Sequence, residues 1–154
     1  MNKLSFDAER VRQLIGRAGL ALDDGDYDGF LALCSPEFQY RIRVWSPELN
    51  KDMTWLAHDY DGLAQLFTTL PEHLTRPGRL TRHATVAAVD ALPEALSVTS
   101  VFTIHHTDLA GLTRTLATGR YLDRVIEQDG ELRLKSRDVR LDTRDLGIGS
   151  HAPL

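Results

Sequence analysis

The stretch TRTLATGRYLDRVIEQDGELRLKSRDVRLDT, from Thr113 to Thr143, alternates apolar and polar residues, turns at Asp129-Gly130 and alternates again. A period of two is the period of a strand with one buried face, and Asp-Gly between two such runs is a hairpin signal, so the segment reads as a long antiparallel ribbon. Gly119 interrupts the first strand and predicts a bulge or a close backbone approach. The second strand changes phase. Leu132 and Leu134 lie on even positions but Val139 and Leu141 on odd ones, so an extra residue around Ser136 to Asp138 must switch the faces or bend the strand. Such a bend curls a sheet.

What precedes the ribbon supplies something to curl around. Val11, Leu14, Ile15, Ala18 and Leu22 recur at the spacing of one helical face, with Arg10, Arg12, Gln13 and Arg17 elsewhere. Ser5 is placed to cap this helix, and DDGD at 23–26 ends it. YDGFLALC predicts a short second helix running into Pro36, and EFQYRIRVW a half-buried strand. WLAHDYDGLAQLFTTLPEHL begins without pattern, then predicts a helix from about Asp61 that Pro71 terminates. RLTRHATVAAVDAL and ALSVTSVFTIHHTD read as further strands. Helices first and long strands last imply an α+β fold, a curved and mostly antiparallel sheet wrapped around N-terminal helices, in one domain over residues 1–154.

Charge and cysteine content narrow the function classes. Eighteen Lys and Arg against 22 Asp and Glu give a formal charge of -4, which argues against nucleic acid and anionic membranes as partners. No apolar run approaches the roughly 20 residues that cross a bilayer, and MNKLSFDAER lacks the apolar core of a secretion signal; a cytoplasmic protein is expected. Cys34 is the sole cysteine, so an internal disulfide, a thiolate metal cage and a self-contained iron–sulfur centre are all excluded. Cys34 itself, in GFLALC, reads as a small buried hydrophobe. Six histidines suggest metal, but His105 and His106 leave opposite faces of a strand, and His73 and His83 are separated by a proline and a loop. No metal site is expected in this chain.

Two readings remain for the polar residues. Tyr40, His83, His105 and Asp138 would serve proton transfer if a histidine or carboxylate met a tyrosine inside an apolar cavity. The plainer reading makes Tyr40 a core residue with its hydroxyl satisfied, the histidines hydrogen-bonded spacers, and Asp138 an ion-pair partner of Arg137 and Arg140. Along the ribbon, arginine and aspartate mix evenly, which fits a protein contact surface as well as a solvated face. Arg120, Arg124, Arg137 and Arg140 are the expected contact residues.

Taken in order, LALDDGDYDGFLALCSPEFQY, RLTRHATVAAV and TGRYLDRVIEQDGELRLKSRDVRLDT, followed by HAPL, resemble the small (beta) subunit of Rieske-type aromatic-ring-hydroxylating oxygenases over most of the chain. The most specific parts are Arg82-His83, the run Gly119 to Asp123, and Arg137 to Asp142; Glu131-Leu132 departs from the tryptophan common there. The resemblance implies a cystatin-like or nuclear-transport-factor-like cone that assembles with a large (alpha) subunit, often as a hetero-hexamer of three large and three small chains. It places the Rieske 2Fe-2S cluster and the mononuclear iron in the large subunit, with no cofactor here, and makes this chain mainly structural. Relatives of the resembled type oxidise aromatic acids, polycyclic hydrocarbons or small sulfonates, and no residue here selects among them. The alternatives are a stand-alone isomerase, dehydratase or cyclase of the same shape using Tyr40, His83 and Asp138, or a ligand-binding module without turnover.

Overall fold

A computed structural model describes residues 3–73, 77–146 and 153–154. Helix α1 (Lys3–Asp23) and the short α2 (Tyr27–Ala32) come first, then strands β1 (Cys34–Ser46) and β2 (Lys51–Asp59), helix α3 (Tyr60–His73), and strands β3 (Arg79–Ala91), β4 (Leu96–Thr107), β5 (Thr113–Gln128) and β6 (Glu131–Leu141). The strands form one sheet in the order β2-β1-β6-β5-β4-β3. Every neighbouring pair is antiparallel except β1 with β6. The fold is the expected α+β arrangement, a curved sheet on whose inner face the helices pack.

The apolar stripe of α1 is buried at Val11, Leu14, Ile15, Ala18 and Leu22, and it shares one core with Phe38, Tyr40, Ile42 and Val44 of β1 and with Val98, Phe102 and Ile104 of β4. Asp26 caps α2, its Oδ1 accepting from Gly29 N at 2.9 Å. The ribbon closes through Asp129 and Gly130 at φ 53° and 79°, the left-handed pair that a two-residue hairpin requires.

Four local expectations need correction. Helix α1 starts at Lys3, ahead of Ser5, because Lys3 and Leu4 are themselves good helix formers. Strand β1 begins at Cys34 and runs through Pro36; the proline is tolerated because the β1–β6 register is broken between Cys34 and Gln39, where no ladder donor is needed. Strand β2 was not expected at all. Its residues are exposed or half-buried throughout, so it carries no apolar alternation, and its order comes from pairing with β1. Helix α3 passes Pro71 and ends at His73, since a proline in the last turn forfeits a single hydrogen bond.

The phase change in β6 is real and lies slightly earlier than predicted. Arg124 pairs with Ser136 but Val125 with Leu134, leaving Lys135 as the extra residue. Before it, Leu132 and Leu134 are buried; after it, Arg137, Val139 and Leu141 are. A second extra residue, Leu116, separates the pairs Ile104–Ala117 and His105–Thr115. Gly119 supplies the close approach its position suggested, since a Cβ there would collide with the carbonyl of Arg140 on β6. Gly119→Ala should therefore destabilise the chain by about 1–3 kcal/mol, the usual range for overpacking a tight site, read as a lowered midpoint in urea with unchanged slope.

Candidate functional site

The bulge at Lys135 turns Arg137 into the interior, where it meets Asp123 of β5. Arg137 Nε and Nη2 donate to Asp123 Oδ1 and Oδ2 at 2.9 and 3.0 Å, and both side chains are sealed, at 1% and 0% exposure. The guanidinium also lies 4.0 Å from the centre of the Tyr121 ring, which stacks in turn on Phe102 at 4.2 Å. Burial works against the charge of Arg137, and the Asp123 carboxylate more than offsets it, so the guanidinium pKa is raised, while burial, opposed by Arg137, raises the Asp123 carboxyl. Toward α1, Arg82 of β3 donates from Nε to Asp23 Oδ1 at 2.6 Å and from its backbone N to Oδ2 at 3.0 Å. Arg82 Nη1 and Nη2 and the Tyr121 hydroxyl are buried and make no hydrogen bond of good geometry with any described residue, although the Arg82 and Tyr121 side chains interact with each other.

Tyr40 completes this interior. Its hydroxyl donates to the main-chain oxygen of Leu154 at 2.9 Å, and Leu154 is itself buried in the core. Burial, first, and the neighbouring Tyr121 push the Tyr40 phenol above its ordinary range. Cys34 is sealed in the same core, with its Sγ donating to Phe30 O at 3.4 Å, and burial pushes its thiol up to about 12. It is an inert thiol at neutral pH.

The proposed proton-transfer residues do not meet. Tyr40 points inward with its hydroxyl taken, whereas His83 is exposed. Its rows in the ladder, Thr103 on β4 and then Thr118 on β5, belong to the opposite, outer face. Asp138 is also on that outer face, because it follows the inward Arg137 in an extended strand. Its ion-pair partners are not its sequence neighbours Arg137 and Arg140 but Arg43 Nε at 3.1 Å and Arg41 Nη2 at 3.3 Å, across the ladder on β1. His105 and His106 leave opposite faces as expected. Among the described residues no three His, Cys, Asp or Glu side chains come together as a metal site, and with one buried cysteine the chain does not fit an iron–sulfur cluster.

The outer face is where the unspent polarity lies. Arg140 donates from both Nη atoms to Asp52 at 2.9 Å, and this hydrogen bonding holds the Asp52 carboxyl below its ordinary range. Arg124 donates to Ser97 Oγ at 2.6 Å. Arg120 faces Arg140 across the β5–β6 ladder and has no acidic partner among the described residues. Beside it stand two exposed apolar side chains, Val101 and Leu122. Where the Lys135 bulge and the β1 register break adjoin, the face is grooved. One hollow of about 630 Å³ lies over Arg41, Ala57, Asp59 and Asp138, another of about 460 Å³ over Pro93, Arg124 and Lys135, and both share Gln39 and Ser136. Of the four arginines expected at the surface, Arg120, Arg124 and Arg140 are there. Arg137 is not: the bulge has placed it inside, where no partner can touch it.

Arg137→Ala should cost about 3–5 kcal/mol of stability because it strands the buried Asp123 charge. Arg124→Ala, at the surface, should stay within about 0.5 kcal/mol of the parent. Chemical denaturation of both variants checks the contrast; equal costs would contradict the assignment.

The SnoaL-like domain pattern matches residues 5–138. The chain is 38% identical to methanesulfonate monooxygenase hydroxylase subunit beta from Methylosulfonomonas methylovora, over 96% of this chain and 87% of that one. It is 35% identical to 2-aminobenzenesulfonate 2,3-dioxygenase subunit beta from Alcaligenes sp, over 86% and 89% of the two chains. Among solved structures, the beta subunit of a putative aromatic-ring-hydroxylating dioxygenase from Novosphingobium aromaticivorans superposes with a TM-score of 0.82 at 20% identity, covering 94% of each chain. The chain belongs to the SnoaL-like domain family, among the beta subunits of oxygenases.

Proposed function

We propose that this chain is the assembly subunit of a multicomponent Rieske oxygenase, docking through the outer face of its sheet onto a large subunit that holds the 2Fe-2S cluster and the mononuclear iron. The observation that carries the reading is the contrast between the two faces. Paired charges and stacked rings fill the interior, while the outer face presents Arg120 without an acidic partner among the described residues, beside Val101 and Leu122. An exposed arginine next to apolar side chains is the composition of a contact patch rather than of a solvated sheet. Arg124 and Arg140 flank it. A carboxylate-bearing surface on the large subunit is the complementary chemistry.

The unit works as one domain in the cytoplasm, within a hetero-hexamer of three large and three small chains, and no described helix is long and apolar enough to cross a membrane. Both curated relatives are named for sulfonate oxygenases, and a sulfonate is the substrate class we infer for the complex, selected in the large subunit.

Co-expression with the large subunit should yield one co-purifying oligomer, sized by light scattering, with sulfonate-dependent consumption of NAD(P)H once reductase is added. Arg120→Glu should weaken that association at least tenfold while leaving the fold of the isolated chain intact. A chain that stays monomeric beside its large subunit, or that turns over substrate alone, would contradict the proposal.

A further inference from the structure

The outer face also brings together two histidines that are far apart in sequence. His83 lies on β3 and His105 on β4, and the register pairs His83 with Thr103 and Thr81 with His105, so the two are diagonal neighbours on one face of an antiparallel ladder. Their ring centres are 5.7 Å apart, at 71° to one another. An imidazole nitrogen binds a divalent transition ion at about 2.0–2.1 Å, which puts each ring centre about 3.2 Å from the metal and two rings at a tetrahedral angle about 5.2 Å apart. The observed separation is half an ångström longer, within reach of a small side-chain rotation.

The surroundings favour a ligand role over a structural one. His83 is exposed and makes no hydrogen bond among the described residues. His105 is half-buried, and its one contact of that kind is Nδ1 with Thr115 Oγ1 at 3.5 Å, too long to hold the ring and placed so that Nε2 is left for a ligand. The adjoining same-face positions are the threonines Thr81, Thr103 and Thr115, which repel no cation. The closest same-face cation in the register is Arg79, which faces Thr107 one row from His105 and donates from Nη2 to Asp24 Oδ1 at 3.0 Å. His106, by contrast, turns inward and bonds Pro77 O through Nε2 at 2.9 Å.

We propose that His83 and His105 form a two-histidine site for a nitrogen-preferring divalent ion, Cu²⁺, Ni²⁺ or Zn²⁺, with water completing the coordination. Two imidazole nitrogens and no carboxylate select these borderline ions over Mg²⁺ or Ca²⁺ and set the order Cu²⁺ above Ni²⁺ and Zn²⁺. The site shares the outer face with the docking patch, one row from Val101 and Arg120, and its test uses the isolated chain.

Isothermal titration of the full, tag-free chain with Zn²⁺, and then Cu²⁺, tests it. One site per chain is expected, tighter for Cu²⁺ than for Zn²⁺. His83→Gln and His105→Gln should each weaken Zn²⁺ binding at least tenfold, while His58→Gln and His106→Gln leave it within twofold. Because His83 is exposed, circular dichroism of its variant should match the parent, so lost binding there cannot be lost folding. No saturable uptake of either ion, or uptake that survives unchanged in the His83 variant, overturns the proposal.

Discussion

The ion pair between Arg137 and Asp123 is the constraint on which the remainder of the structure depends. Two unpaired charges in this position would cost several kcal/mol each; joined by two parallel hydrogen bonds and covered by the Tyr121 ring, they become a filling for the inside of a curved sheet. The pair exists only because Lys135 is an extra residue. Without that bulge β6 would keep the phase of Leu132 and Leu134, Arg137 would face outward, and Asp123 would be stranded. One inserted residue thus sets which face is core and which is surface for the last part of the strand.

The same bulge shapes the outer side. A sheet that accommodates an extra residue bends, and here the bend adjoins the break in the β1–β6 register, grooving the face across Gln39 and Ser136. The long strands also bring cations of β1, β5 and β6 into one field. Arg41 and Arg43 are committed to Asp138, and Arg140 to Asp52, whereas Arg120 and Arg124 of β5 and Lys135 of β6 have no acidic partner among the described residues. Interior and exterior polarity therefore have different fates: the first is consumed in packing, the second is available to another chain.

Much of this was legible in the sequence, and the failures have physical causes. Helix α1, the half-buried β1 pattern, the Asp129-Gly130 turn and the phase change in β6 all follow from side-chain periodicity, which reports directly on burial. Strand β2 was invisible because an edge strand with no buried residue has no periodicity to read. The inward turn of Arg137 is half visible in the sequence: the alternation shows that β6 changes phase, but it does not separate Lys135 from Ser136 to Asp138 as the extra residue, and only the former turns Arg137 inward. Asp138 was given the wrong partners for a related reason. Ion pairs in a sheet form across strands, and the β1–β6 pairing is parallel and 97 residues distant in the chain for Arg41 with Asp138, beyond the reach of local inspection. The convergence of His83 and His105 was missed on the same account.

The central claim, that the interior is structural and the outer face is functional, is tested most directly by hydroxyl-radical footprinting of side chains in the isolated chain and in its complex with the large subunit. The account predicts protection of Val101 and Leu122 on assembly, with the exposed Leu20 on α1 and Leu109 in the β4–β5 loop as reactive as before. Protection centred on Leu20, with the sheet face unchanged, would contradict it.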